Sequence, residues 1–171
     1  MNEIPKWVGI SGSWRLTSPK IENDVRTEVD KIISDGNGIV TGGALNVDYQ
    51  ATDEVLKLGK LNQLKIFIPV TLKLFINHYH TRAKEGIVTE KQADDVIKQL
   101  TTIKKLNPKS LIENSSNIIV DRETYYQRNS EVVKASDELL AFQVNESRGT
   151  QDTIDKAKRK GIPVKVFSYS L

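Results

Sequence analysis

Cysteine is absent from the 171 residues, so the fold cannot rest on disulfides or thiolate zinc sites and no Cys nucleophile is available. That absence fits a reducing compartment. No stretch approaches the roughly eighteen consecutive apolar residues of a membrane span, and Met1–Lys6 lacks the basic stretch, apolar run and cleavage site of an export signal. The sequence therefore predicts a cytoplasmic protein with no membrane contact. Internal repeats and low-complexity segments are also missing. So is a bias of charge: 25 basic and 22 acidic residues give a net +3 and are mostly interspersed, which permits phosphate ligands without selecting DNA. The densest basic run, Lys156, Lys158, Arg159 and Lys160, reads as a solvated helix end where cations are favoured. Histidine is scarce. The 2 present, His78 and His80, stand two apart on an expected helix and so point to different faces. With no carboxylate cluster beside them, no metal site is expected. Nothing matches the Gly-x-Ser-x-Gly elbow of a serine hydrolase.

What is present is the composition of a folded globular chain, 38% hydrophobic and 27% charged, long enough to bury one contiguous core. Short apolar runs alternate with helical patterns, the signature of βαβ units and a parallel sheet. Trp7–Ser11, Gly38–Thr41, Leu64–Pro69, Glu138–Val144 and Ile162–Phe167 read as strands, and Asn117–Val120 as a short strand or extended segment. Helical spacing covers Ile21–Ser34, Val47–Leu58, Arg122–Ala135 and Gly149–Lys160. Between the third strand and Arg122 two helical stretches, Leu72–Lys84 and Glu90–Leu106, follow each other with no strand between them. The expectation is a single α/β domain over residues 1–171: a Rossmann-like three-layer sandwich, with a mostly parallel sheet of five or six strands flanked by helices and a helical insertion at about 71–116. Leu72, Leu74, Phe75 and Ile76 offer apolar surface for a homo-oligomer.

Three loops follow expected strands, and in an open parallel sheet such loops meet at the ligand crevice. In the first, Ser11, Gly12 and Ser13 let backbone amides approach a phosphate and Arg15 can pair with it. In the second, Thr41, Gly42 and Gly43 lead into a helix; paired glycines permit positive φ and bring amides to the helix N-terminus. Asp48 serves either as the cap of that helix or as a ligand to ribose hydroxyls. In the third, Ser147, Gly149 and Thr150 suit a phosphate cradle that Arg148 closes, with Ser147 or Thr150 near the N-cap and Asp152 in the first turn.

The stretches GISGSWR, IVTGGALNVDYQATDEVL, YYQRNSEVVKASDELLAF and ESRGTQDTIDKAKRKGIPVKVF resemble the SLOG superfamily, which joins the DNA-processing protein DprA (Smf) to the LOG cytokinin-activating phosphoribohydrolases. The resemblance covers roughly residues 7–68 and 121–168 and leaves the helical segment outside. It implies a Rossmann-like fold that binds nucleotides or nucleotide-derived ligands, with the Thr41-Gly42-Gly43 and Gly149-Thr150 turns on phosphate. By similarity to the DprA-like Arg-Asn motif, Arg128 and Asn129 would lie at the start of a helix on the same crevice. It also implies a tendency to pair subunits; no cofactor is expected.

Two departures from the family's patterns bear on activity. LOG enzymes carry Pro-Gly-Gly-x-Gly-Thr-x-x-Glu, and Thr153 occupies the Glu position here. Cleavage of a ribose–base bond needs a carboxylate at an oxocarbenium-like centre, which leaves Glu146, Asp152 and Asp48 as candidate catalytic residues. A DprA-like protein would hold single-stranded DNA in a basic groove with aromatic stacking; Trp14, Tyr49, Tyr125 and Tyr126 are available, while the basic residues are scattered. The expected partner is a nucleotide-derived small molecule, with nucleotide N-glycosidic hydrolysis and single-stranded DNA binding as the alternatives.

Overall fold

The computed structural model describes residues 3–171; Met1 and Asn2, part of the segment read for an export signal, lie outside the described residues. Six strands form one sheet: β1 (Trp7–Gly12), β2 (Gly38–Gly42), β3 (Leu64–Phe67), β4 (Leu111–Ile112), β5 (Glu138–Val144) and β6 (Val164–Tyr169). The order is β4-β3-β2-β1-β5-β6 and every pairing is parallel. The helices are α1 (Pro19–Ser34), α2 (Val47–Lys57), α3 (Leu72–Lys84), α4 (Glu90–Leu106), α5 (Arg122–Lys134) and α6 (Arg148–Lys160). This is the expected α/β Rossmann-like architecture. No helix among the described residues is long and apolar enough to cross a membrane.

The layering follows from alternation along the central strands. On β5, Leu140, Phe142 and Val144 join the large cluster that contains Ile21, Val25 and Val29 of α1, while Leu139 and Ala141 turn to Val133 of α5 and Ile154 and Ala157 of α6. Each such fully buried Ile, Leu, Val or Phe contributes about 1.5–3 kcal/mol relative to exposure. Helix starts follow local chemistry. Ser18 caps α1 through the Ile21 N–H, with Pro19 in the first turn, and Thr89 with Gln92 and Asp121 with Thr124 form reciprocal caps on α4 and α5.

Several sequence expectations shift. Asn117–Val120 is not a strand: Ile118 and Ile119 are exposed, and the Asn117 amide donates to the Pro69 carbonyl at 3.0 Å and to Gln127 at 2.7 Å. The strand in this region is β4, two residues earlier expected to belong to the helical segment, set beside β3 through Ile66–Leu111 and Phe67–Ile112. Its two-residue length leaves no period to read. The last strand begins and ends two residues later than expected, because Gly161 in the left-handed region closes α6 and Pro163 follows it. Leu72 and Phe75 are core residues and Leu74 and Ile76 pack against that core, so they are not the free apolar surface expected. In the basic run, Lys156 pairs with Asp152 at 2.6 Å and donates to the Tyr126 carbonyl at 2.8 Å. Lys160 reaches the carbonyls of Val133, Lys134 and Ser136 at the end of α5. Two of these cations therefore bind α6 to α5.

Candidate functional site

Connections from β1 run toward β2 and those from β5 run toward β6, so the chain reverses direction across the sheet between β1 and β5. Crevices open at that switch point, outside the carboxyl ends of the strands. A cleft of about 630 Å³ lies there, within the usual range for small-molecule sites. Its floor is the end of β1 (Ser11–Arg15), Gly42 and Ala44 after β2, and Ser147–Thr150 at the start of α6. α5 forms one wall with Arg122, Tyr125, Tyr126, Arg128 and Asn129, and α3 with the turn after it forms the other with His78, Tyr79, Arg82, Ile87 and Val88.

The glycines work by close approach. Gly12, Gly42, Gly43 and Gly149 all have negative φ, so the positive φ that the Gly42-Gly43 pair permits is not used. A Cβ on Gly12 would stand 2.4 Å from a methyl of Val47, and one on Gly42 only 1.8 Å from Nη1 of Arg128. A Cβ on Gly43 would strike Ile68 at 2.7 Å, which places Gly43 against the core and off the cleft. Gly149 is the opposite case, with open space where its Cβ would be.

Asp48 and Arg128 form the buried polar centre. Asn46 holds the N-cap position of α2 without a side-chain cap bond, and its amide donates to the Trp14 carbonyl at 2.5 Å. Asp48, freed from capping, accepts the Thr41 hydroxyl at 3.0 Å and the Ala44 N–H at 3.3 Å. Burial raises the Asp48 pKa above the ordinary carboxylate value, and the Arg128 cation opposes that rise. The carboxylate is 3.8 Å from Arg128 Nη1, and the two side chains retain only 8% and 9% exposure. Arg128 lies mid-helix in α5, not at its start, with Nε donating to Asn129 at 3.2 Å and the guanidinium over the Tyr125 ring at 5.4 Å. Nη1 is buried and has no hydrogen-bond partner. An unmet buried donor costs about 1–3 kcal/mol, and more when charged.

Around this centre, the His78 ring nitrogen lies 3.3 Å from the Tyr125 hydroxyl. Burial holds the His78 pKa below its ordinary value, with Arg82 acting in the same direction, and burial pushes the Tyr125 phenol up to about 12. Both are therefore neutral near pH 7. At the start of α6, the Ser147 hydroxyl lies 2.8 Å from Thr150 Oγ1 rather than on a backbone amide. Thr153, at the position of the LOG glutamate, donates to the Gly149 carbonyl at 3.2 Å. Arg15 lies over the Trp14 ring at 4.8 Å.

Of the residues singled out from sequence, Ser11, Gly12, Ser13, Arg15, Gly42, Asp48, Arg128, Asn129, Ser147, Arg148, Gly149 and Thr150 meet on this cleft. Four do not line it. Thr41 lies beneath, bonded to Asp48. Gly43 faces the core. Asp152 is held by Asn129 at 3.1 Å and by Lys156. Glu146 is exposed in a turn where it and Asn145 both take positive φ. Trp14, Tyr125 and Tyr126 line the cleft; Tyr49 does not. Sequence reasoning missed His78, Tyr79, Arg82, Ile87 and Val88. They sit on the segment outside the recognised motifs, and the fold alone brings them to the crevice. Among the described residues no group of three His, Asp or Glu is placed to hold a metal ion.

No family profile matches the chain, and no curated protein matches it. Solved structures do. The chain is similar to DNA processing protein A of Helicobacter pylori, whose structure concerns its single-stranded DNA binding mode, at TM-score 0.70 and 19% identity over 95% of this chain and 65% of that one. DNA processing protein A (DprA) of Streptococcus pneumoniae gives 0.65 and 18% over 95% and 50%. The molybdenum cofactor carrier protein of Chlamydomonas reinhardtii gives 0.54 and 15% over 96% and 78%. This chain thus spans about two thirds and one half of the two DNA processing proteins. At 15–19% identity these likenesses show the fold, which is the Rossmann-like architecture that the SLOG resemblance implied.

Proposed function

We propose that the cleft binds a phosphorylated nucleotide or nucleotide-derived ligand, with a phosphoryl group on Arg128 and on the amides of the Ser11–Ser13 and Arg148–Thr150 turns. The observation that carries this reading is the buried Nη1 of Arg128, which faces Asp48 at 3.8 Å but has no hydrogen-bond acceptor, lodged against Gly42 on a cleft where two strand ends and a helix N-terminus meet. An anionic oxygen supplies the missing acceptor, and a guanidinium recognises it as a planar fork. The open space at Gly149 keeps the start of α6 accessible, where the helix dipole favours an anion.

The test is a thermal-shift screen against nucleoside mono-, di- and triphosphates, cyclic nucleotides and ADP-ribose derivatives. Ligand at about 100 times its Kd stabilises the native state by about 2.7 kcal/mol, which for a domain of this size raises Tm by roughly 5–11 °C. Arg128→Met, read against its own ligand-free Tm, removes most of the shift. A shift of the same size in that variant, or none with any nucleotide in the native protein, refutes the reading.

Single-stranded DNA is the second reading, favoured by Trp14, Tyr125 and Tyr126 on the cleft beside arginines. It calls for affinity that falls steeply with salt. For N-glycosidic hydrolysis, Asp48 is the one candidate carboxylate on the cleft.

A further inference from the structure

A phosphoryl group on Arg128 fills only part of a cleft of about 630 Å³, a size that suits a larger organic ligand. The side left over is the wall made by α3 and the turn after it, and its chemistry differs from that of the floor. Its cleft-lining residues are His78, Tyr79, Arg82, Ile87 and Val88. None is a carboxylate, and the one fixed cation, Arg82, is paired with Glu85 at 3.1 Å. His78 and Tyr125, the latter facing it from α5, are uncharged near neutral pH because burial disfavours their ionised forms.

The turn is fixed, and it holds an apolar side chain out. Gly86 takes a φ of 71°. Its N–H donates to the Ala83 carbonyl and the Ile87 N–H donates to the Arg82 carbonyl, each at 3.0 Å, the paired closure of a helix end around a left-handed glycine. The reciprocal cap of Thr89 and Gln92 fixes the other end. Val88 is buried at 7% exposure, whereas Ile87 beside it keeps 46% and lines the cleft. Single exposed apolar residues are ordinary on open surface. Here the residue is pinned on a concave one, next to an aromatic wall in which Tyr79 meets Phe75 edge-on at 5.0 Å and His78 at 5.9 Å.

Tyr125 joins this wall to the floor. Its ring lies under the Arg128 guanidinium at 5.4 Å, and its hydroxyl is 3.3 Å from Nε2 of His78. A ligand with its phosphoryl group on Arg128 therefore needs only a short spacer, such as a sugar, to reach the wall. The neutral imidazole–phenol pair can offer a donor or an acceptor there, according to the tautomer.

We propose that the α3 wall is the base site of the cleft: an uncharged heteroaromatic ring, joined through its sugar to the phosphoryl group on Arg128, packs on Ile87 while the His78–Tyr125 pair hydrogen-bonds its edge. This rests on the nucleotide reading above. It makes residues outside the Gly/Ser-rich turns decide which nucleotide is taken.

The experiment is calorimetric titration of the intact chain with nucleotides and their base-free counterparts: nucleoside 5′-monophosphates against ribose 5-phosphate, and nucleoside 5′-diphosphates against inorganic pyrophosphate. At least one nucleotide binds about tenfold or more tightly than its counterpart, the gain from covering an apolar side chain and making one hydrogen bond. Ile87→Ser, at an exposed position that the fold does not need, lowers that ratio about fivefold and leaves the base-free ligands unchanged. His78→Phe lowers it too and alters the ranking of the bases, whereas Arg128→Met weakens nucleotides and base-free ligands alike. Nucleotides that bind no better than their counterparts overturn the base site and leave the phosphoryl seat standing, as does a ratio that survives both wall variants. Binding of a short single-stranded oligonucleotide with no nucleotide bound, or no binding at all, overturns both.

Discussion

Replacing Arg128 by methionine tests the physics of the cleft without any ligand. The substitution keeps apolar bulk under Gly42 and removes the one cation that opposes the upward shift of the Asp48 pKa. Breaking a buried ion pair by deleting one partner costs roughly 3–5 kcal/mol. Two features of this pair reduce that figure: the charged atoms stand 3.8 Å apart, and Asp48 retains the Thr41 hydroxyl and the Ala44 N–H. A third works the same way, since the variant no longer buries an unmet donor. The expected net loss is about 2 kcal/mol at neutral to mildly alkaline pH, or roughly 4–8 °C in Tm. The sign with pH follows from Asp48. Its pKa in the folded chain is raised, so it adds stability while protonated and withdraws it as pH climbs through the window above the ordinary carboxylate value. Without Arg128 the pKa rises further and the withdrawal grows. Urea unfolding followed by circular dichroism should therefore show a penalty of about 2 kcal/mol near pH 8 that shrinks as pH falls toward the ordinary carboxylate range. A penalty that stays equal across that range, or is larger in acid, would refute the assignment of Asp48 and Arg128 as a coupled pair.

Gly12→Ala should destabilise the fold by about 1–3 kcal/mol, because its Cβ meets the branched and fully buried Val47 at 2.4 Å with no flexible atom to yield; an unchanged denaturation midpoint would show that α2 can retreat from β1. Gly149→Ala should do the reverse. Its Cβ enters open space within a helix, so propensity adds about 0.5–1 kcal/mol of stability. The same methyl intrudes on the cleft, so a nucleotide that binds the native protein should bind the more stable variant more weakly; a variant that gains stability and keeps full affinity would move the phosphate away from α6.

Much of this protein is legible along the chain. Short apolar runs and helical spacing mark five of the six strands and all six helices, and the Gly/Ser-rich turns after β1, β2 and β5 announce the crevice, because local propensity and packing agree there. Twelve of the residues chosen from those turns and from the Arg-Asn pair do meet on the cleft. Other matters belong to the tertiary structure. β4 is two residues long and exists because β3 offers it an edge, which no local period encodes. Gly42 and Gly43 look interchangeable in sequence, yet one clears space for a guanidinium and the other for Ile68. Asp152 and Asp48 look equally available until Lys156 and Asn129 claim the first while burial beside Arg128 sets the second apart. The wall of His78, Tyr79 and Arg82 comes from α3, far from every loop that marked the site. Sequence determines which segments fold and where the backbone can be approached closely, since these follow from neighbours along the chain. Which charges end buried, paired or waiting for a partner depends on contacts between distant segments, and only the assembled sheet and its helices decide it.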